Sequence, residues 1–172
     1  MDGSIQVYYG NGRGKTTAAL GLGIRAAGVG KQVIMVQFLK KKHSDTLDFL
    51  KKLEPELQIF RFEKAACGYS DLSPKEKQEQ MLNIKNALGY SGKVLDTGQC
   101  DLLILDEIFG LVDYNIITIE ELMDLIAVKK DSMDLILTGR NLPDEVREIA
   151  DCVYSIQREK EKTPEILAQG NF

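Results

Sequence analysis

The sequence is most informative first in what it lacks. It has one histidine, His43, and three cysteines, Cys67, Cys100 and Cys152, with no C-x-x-C spacing. That excludes a zinc knuckle and an encoded disulfide framework, and it predicts reduced thiols in a cytoplasmic protein. His43 falls in Lys40-Lys41-Lys42-His43, which reads as a solvated loop, so neither a Ser/His/Asp nor a Cys/His arrangement is at hand. No apolar stretch approaches the ~20 residues that span a bilayer. Met1-Asp2-Gly3-Ser4 carries no basic leader, and the apolar run that follows is too short for a signal segment. A basic excess is missing as well. Lys plus Arg is 22 against 26 for Asp plus Glu, a formal charge of -4, which argues against a general nucleic-acid partner. No internal repeat or low-complexity tract occurs.

What is there fits one globular domain. The chain has 172 residues, 44% hydrophobic and 28% charged. A chain of this length buries roughly 70% of its unfolded surface, so no staple is required. Short β-rich apolar runs at 5–9, 32–38, 57–62, 101–105, 134–138 and 152–156 alternate with helical stretches. Val33-Ile34-Met35-Val36 and Leu102-Leu103-Ile104-Leu105 are continuously apolar, as in strands covered on both faces of a parallel sheet. Helices are expected over 15–27, after the capping box Ser73-Pro74-Lys75-Glu76, after the capping box Thr118-Ile119-Glu120-Glu121, and from Pro143 through Ile149. Gly89 and Gly92 weaken the helical signal of the second of these on its way to Leu95. The pattern is α/β, with a mostly parallel central sheet of about six strands flanked by helices. Residues 1–156 form the domain, and 157–172 read as its polar C-terminal tail.

The strongest chemical signal follows the first strand. Gly10-Asn11-Gly12-Arg13-Gly14-Lys15-Thr16-Thr17 joins a β-run to a helix, the context a phosphate-binding P-loop requires. Glycines let backbone N–H groups turn toward phosphate oxygens, and the helix N-terminus adds partial positive charge. Lys15 supplies a point charge, and the Thr16 hydroxyl suits Mg²⁺. The loop is one residue tighter than usual, because Tyr9 stands where the first glycine is ordinarily found. A second glycine pattern, Gly21-Leu22-Gly23-Ile24-Arg25-Ala26, lies inside the first helix. It reads as close helix–sheet packing, not as a dinucleotide site.

Two acids, Asp106 and Glu107, end the run that begins at Asp101. A buried strand delivers them to the carboxyl edge of the sheet. Asp106 reads as a metal-holding acid, and Glu107 as a second ligand or a base that activates water; the alternative is that both cap the next helix. Leu137-Thr138-Gly139-Arg140 ends a later strand in the same way, placing Arg140 where it can fork onto phosphate. Motif type predicts a RecA-like P-loop NTPase sheet, with the Thr138 strand between the P-loop strand and the Asp106 strand. Two chemistries remain open on the residues alone: hydrolysis-driven NTPase work, or transfer of part of the nucleotide to a small molecule.

The run from Gly10 to Ala19, with Val36-Gln37-Phe38-Leu39-Lys40, Leu105-Asp106-Glu107 and Leu137-Thr138-Gly139-Arg140, resembles the P-loop ATP:corrinoid adenosyltransferases. The similarity extends more weakly to Ala150-Asp151 and Ala168-Gln169-Gly170-Asn171-Phe172. The resemblance implies transfer of the 5′-deoxyadenosyl group of ATP to the Co(I) centre of cob(I)alamin or a precursor corrinoid, with triphosphate leaving. It implies ATP held by Gly10 to Thr17 in reversed polarity and Mg²⁺ (or Mn²⁺) held by Thr16, Asp106 and Glu107. Lys15, Glu107 and Arg140 become the catalytic group, with an electron-donating flavoprotein as partner and a homodimer as the assembly. In the family, aromatic residues of the loop after the third strand help remove the lower axial ligand of Co(II). Tyr69 aligns with one of them, and Asp71 stands where the family often has Trp. Many members carry an N-terminal arm over the site. With its first strand at residue 5, this chain is expected to lack that cover. The alternatives are a P-loop ATPase or ATP-binding regulatory protein that has lost corrinoid adenosylation, and, on a thinner case, a small-molecule kinase.

Overall fold

The computed structural model describes residues 2–40, 50–62 and 69–160. His43, Cys67, Gly68 and the 168–172 motif lie outside the described residues. In chain order the elements are β1 (Ile5–Tyr9), α1 (Lys15–Ala27), β2 (Val33–Gln37), β3 (Leu57–Arg61), α2 (Pro74–Thr97), β4 (Leu102–Asp106), α3 (Ile108–Asp113), α4 (Ile119–Ala127), β5 (Asp134–Gly139), α5 (Asp144–Ile149) and β6 (Cys152–Ser155). One-turn 3₁₀ helices at Lys51–Leu53 and Tyr69–Asp71 flank β3.

The six strands form one sheet in the order β3-β2-β4-β5-β1-β6, every pair parallel. β5 lies between β1 and β4, as the motifs predicted. Every residue of β2 and β4 is buried, which accounts for their unbroken apolar runs. Alternate side chains feed two cores. Val33, Met35, Ile104 and Ile136 meet α1 through Ala19. Ile34, Val36, Leu103, Leu105 and Leu137 meet Ile84 and Leu95 of α2 and Leu122 and Ile126 of α4. All strands run the same way, so their carboxyl ends share one edge. The register sets Gln37 beside Asp106 and Tyr9 beside Gly139 on that edge.

The structure sharpens two expectations about helices. α2 runs unbroken through Gly89 and Gly92. A capping box at Ser73 and Glu76 starts it, and Gly98 at φ 68 ends it. Gly in a helix interior costs about 1 kcal/mol relative to Ala. Burial of Ile84, Ala87, Ser91, Val94 and Leu95 along one face outweighs that, and Gly92 sits close against α4, where an added Cβ would lie 3.4 Å from Leu125 Cδ1. The short helix α3 was not foreseen. Pro143 is the N-cap of α5 and does not lie within it. Residues 156–160 have no regular structure.

The glycines inside α1 divide by environment. A Cβ at Gly23 would come within 3.1 Å of Ile104 Cδ1 and 3.2 Å of Leu57 Cδ1, so this position lets the helix approach the sheet. Gly21 has nothing within 4 Å. Gly21→Ala is therefore expected to raise stability by about 0.5–1 kcal/mol. Gly23→Val should lower it by about 1–3 kcal/mol. Urea denaturation of the two variants checks the contrast, and equal responses would contradict the packing.

Candidate nucleotide and corrinoid site

The phosphate loop is pinned from two sides. Gly10 N–H donates to the Arg140 carbonyl at 3.0 Å and Gly12 N–H to the Ile156 carbonyl at 2.9 Å. Gly10 has φ 120, and a Cβ there would fall 2.4 Å from Ile156 O, so only glycine fits. Lys15 Nζ donates to the carbonyls of Gly10 at 2.7 Å and Gly12 at 2.9 Å, folding the ammonium against its own loop. α1 starts at Lys15 with Gly14 as N-cap, no side-chain cap and no acid in its first turn. Its first N–H groups and the positive end of its dipole are thus available to an anion. Asn11, Arg13 and Thr17 form the exposed rim.

Behind the loop lies Asp106, fully buried at the end of β4. Thr16 Oγ1 donates to it at 2.9 and 3.1 Å. Gln37 Nε2 reaches Oδ2 at 2.9 Å, and Thr138 Oγ1 reaches Oδ1 at 2.7 Å. Lys40 Nζ lies 3.4 Å from Oδ2 and donates to Thr16 Oγ1 at 3.2 Å. A buried carboxylate needs such donors, because desolvation without them costs several kcal/mol. The network continues outward: Gln37 Oε1 accepts from Arg61 Nε at 2.7 Å, which orients the amide. Thr138 Oγ1 accepts from Glu107 N–H at 2.8 Å while donating to Asp106, and so links β5 to the turn after β4.

Glu107 is held at φ 62, in the left-handed region, as N-cap of α3 without a side-chain cap bond. Its carboxylate is not committed to capping, and it acts on Lys15 electrostatically. Burial lowers the Lys15 pKa; Arg140 and Lys40 push the same way, while Glu107 and Asp106 oppose. Lys15, Thr16, Asp106, Glu107 and Arg140 therefore meet at one edge, as the sequence predicted. An acidic protein thus presents Lys15, Lys40 and Arg140 around its phosphate loop, a local excess of positive charge suited to a polyanion. The facing oxygens of Thr16 and Asp106 suit a hard divalent cation.

Tyr69 stands apart from this group. Its ring packs 5.4 Å from Tyr114 at the end of α3, with Lys77 Nζ 5.7 Å from its centroid. It lies between β3 and α2, so the topology keeps it at the same end of the sheet. Lys40 needs correction, since it reaches into the site instead of being solvated. Gln37 and Arg61 were not singled out as site residues. The available signal for Gln37 was a polar residue closing an apolar run. For Arg61 there was none, because its role depends on the β2–β3 register.

Thr138 offers a test of the network. Thr138→Val removes one donor to Asp106 and the acceptor for Glu107 N–H, and it should cost about 1–3 kcal/mol. Thr138→Ser keeps the hydroxyl and is expected to retain most of that stability. Urea midpoints of the two variants check this, and equal losses would count against the hydroxyl.

In shape, the chain is similar to a KaiC-like protein of the hyperthermophilic archaeon Pyrococcus horikoshii OT3, with a TM-score of 0.57, 19% identity, and coverage of 91% of this chain and 72% of that one. That likeness supports a RecA-like P-loop fold alone. Sequence is more specific. The corrinoid adenosyltransferase of Escherichia coli strain K12 is 30% identical over 155 residues, covering 90% of this chain and 76% of that protein. The corrinoid adenosyltransferase CobA of Salmonella typhimurium strain LT2 matches with the same identity and coverage. A family model described as ATP:corrinoid adenosyltransferase BtuR/CobO/CobP matches residues 1–169. With that match running through the phosphate loop, the buried Asp106 and the Arg140 edge alike, the chain belongs to the ATP:corrinoid adenosyltransferase family.

Proposed function

We propose that this edge transfers the 5′-deoxyadenosyl group of ATP to the Co(I) centre of a corrinoid. The cobalt electron pair forms a bond to C5′, the C5′–O5′ bond breaks, and its electrons leave on triphosphate. The observation that carries this reading is the loop from Gly10 to Gly14, closed on Lys15, with the unpaired first turn of α1 beside it. Such a loop is built to hold a polyphosphate. The two hydroxyls in contact with Asp106, on Thr16 and Thr138, both donate to it, so the nucleophile is taken to come from the substrate.

Each residue then has a task. The N–H groups of Arg13 to Thr17, with Lys15 and Arg140, steady the charge that gathers on triphosphate as it leaves. Asn11 and Arg13 contact the nucleotide from the rim. Thr16 and Asp106, with Glu107 beside them, would hold Mg²⁺ or Mn²⁺. Among the described residues no cluster of three His, Cys, Asp or Glu side chains could cage a metal. That fits an ion that keeps water and phosphate oxygens in its shell. When bound with ATP, the ion adds positive charge against the leaving group. Glu107, held at φ 62, would help orient that shell.

Tyr69 is assigned to the corrinoid, on the strength of the family resemblance and its place at the same end of the sheet. Co(I) is supplied by one-electron reduction from a flavoprotein partner, and the working assembly is a homodimer, as the resemblance implies. Among the described residues, Cys100 and Cys152 are unpaired, which suits a reducing cytoplasm. No helix among them is long and apolar enough to cross a membrane.

The test is product identity. Protein, ATP, Mg²⁺ and chemically reduced corrinoid should give adenosylcorrinoid and triphosphate in equal amounts. ADP and phosphate with unmodified corrinoid would instead make the protein an ATPase. Lys15→Ala should lower turnover by about 10²–10³-fold, the usual loss when one donor to developing charge is removed. Activity near that of the unaltered protein would refute the phosphate-loop assignment.

A further inference from the structure

Lys40 occupies a position that the proposed chemistry does not explain. Its Nζ touches both members of the pair assigned to the divalent ion, Thr16 Oγ1 at 3.2 Å and Asp106 Oδ2 at 3.4 Å. Asp106 is completely buried, while the Lys40 side chain keeps 29% exposure. The ammonium therefore has the carboxylate on one side and a route to solvent on the other.

The backbone brings it there at some cost. Leu39 sits at φ 56, a left-handed conformation that a leucine seldom adopts. The turn is held by packing against α3, where Gly110 leaves room for it: a Cβ at that position would lie 2.6 Å from Leu39 Cδ1. Phe38 N–H also donates to the Asp106 carbonyl at 2.9 Å, fixing the chain just before the turn. Strain that its surroundings over-determine, one residue before a side chain that enters the site, points to a positional task for that side chain.

We propose that Lys40 is a tethered counter-cation for the metal seat. With no divalent ion present, its ammonium neutralises Asp106. When the ion arrives with ATP, two cations cannot share one carboxylate without strong repulsion, and Lys40 withdraws on its flexible stem. The incoming polyphosphate then offers it a new anionic partner. Metal alone must displace Lys40 without giving it anywhere to pair, whereas metal with nucleotide supplies both. The two ligands are thereby coupled, each favouring the other. This inference rests on the reading that Thr16 and Asp106 seat the ion.

The test uses Mn²⁺ as probe on the full chain without nucleotide, with free Mn²⁺ followed by electron paramagnetic resonance. Lys40→Gln should bind Mn²⁺ about tenfold more tightly than the unaltered protein, or better, and Lys40→Arg should stay near it. Lys40→Gln should also melt at lower temperature without Mn²⁺ and regain the difference when Mn²⁺ is added. Lys40→Met gives the same two readings where the Gln variant is too unstable to handle. Equal or weaker Mn²⁺ binding in the uncharged variants, with Asp106→Asn still abolishing it, overturns the Lys40 proposal alone. Tightening in Lys40→Arg also overturns it, because charge would not be the cause. Binding that ignores Asp106→Asn removes the metal seat itself, and this inference with it.

Discussion

A single carboxylate, that of Asp106, organises the working edge of this protein. Removed from water at the end of a fully buried strand, it needs donors, and the chain supplies them from four places: Thr16 on α1, Gln37 on β2, Lys40 after β2 and Thr138 on β5. Satisfying one buried charge thus ties the phosphate-loop helix to three strands of the sheet. Such a network is demanding, since one missing partner leaves an uncompensated group in a low-dielectric interior. The same requirement fixes the geometry that nucleotide chemistry needs.

Around that anchor the site separates holding from reacting. The loop glycines are pinned by the carbonyls of Arg140 and Ile156, so their position is decided by β5 and the end of β6. Lys15 is folded back onto the loop carbonyls, and Glu107 and Leu39 hold left-handed backbone conformations on either side of the Asp106 pocket. Two such conformations at non-glycine residues along one edge agree with the wider tendency of strain to collect where ligands bind. A chemistry whose nucleophile arrives with the substrate asks little more of the protein than this: a rigid cradle for the departing triphosphate, and a dry place beside it.

The acidic overall charge and the cationic loop are compatible for the same reason. Net charge is a property of the whole surface, whereas anion binding is decided within a Debye length, about 8–10 Å. Lys40 and Arg140 both lie close enough to act electrostatically on Lys15. A polyphosphate therefore meets local positive charge even though the chain carries -4.

The sequence alone determined the local pieces. β1 and α1 follow their apolar and helical patterns residue for residue, because strand and helix signals are periodic and the phosphate loop between them is punctuated by glycine. The capping boxes at Ser73 and Thr118 were legible, since each is a contact within four residues. The tertiary structure decided the rest. Continuity of α2 through two glycines depends on burial against the core and α4. The convergence of Gln37 and Lys40 on Asp106, with Arg61 orienting Gln37, depends on the β3-β2-β4 register and on a left-handed turn at Leu39. Distant residues meet only when strands pair, and no window of sequence contains the energy that makes a buried carboxylate select its partners.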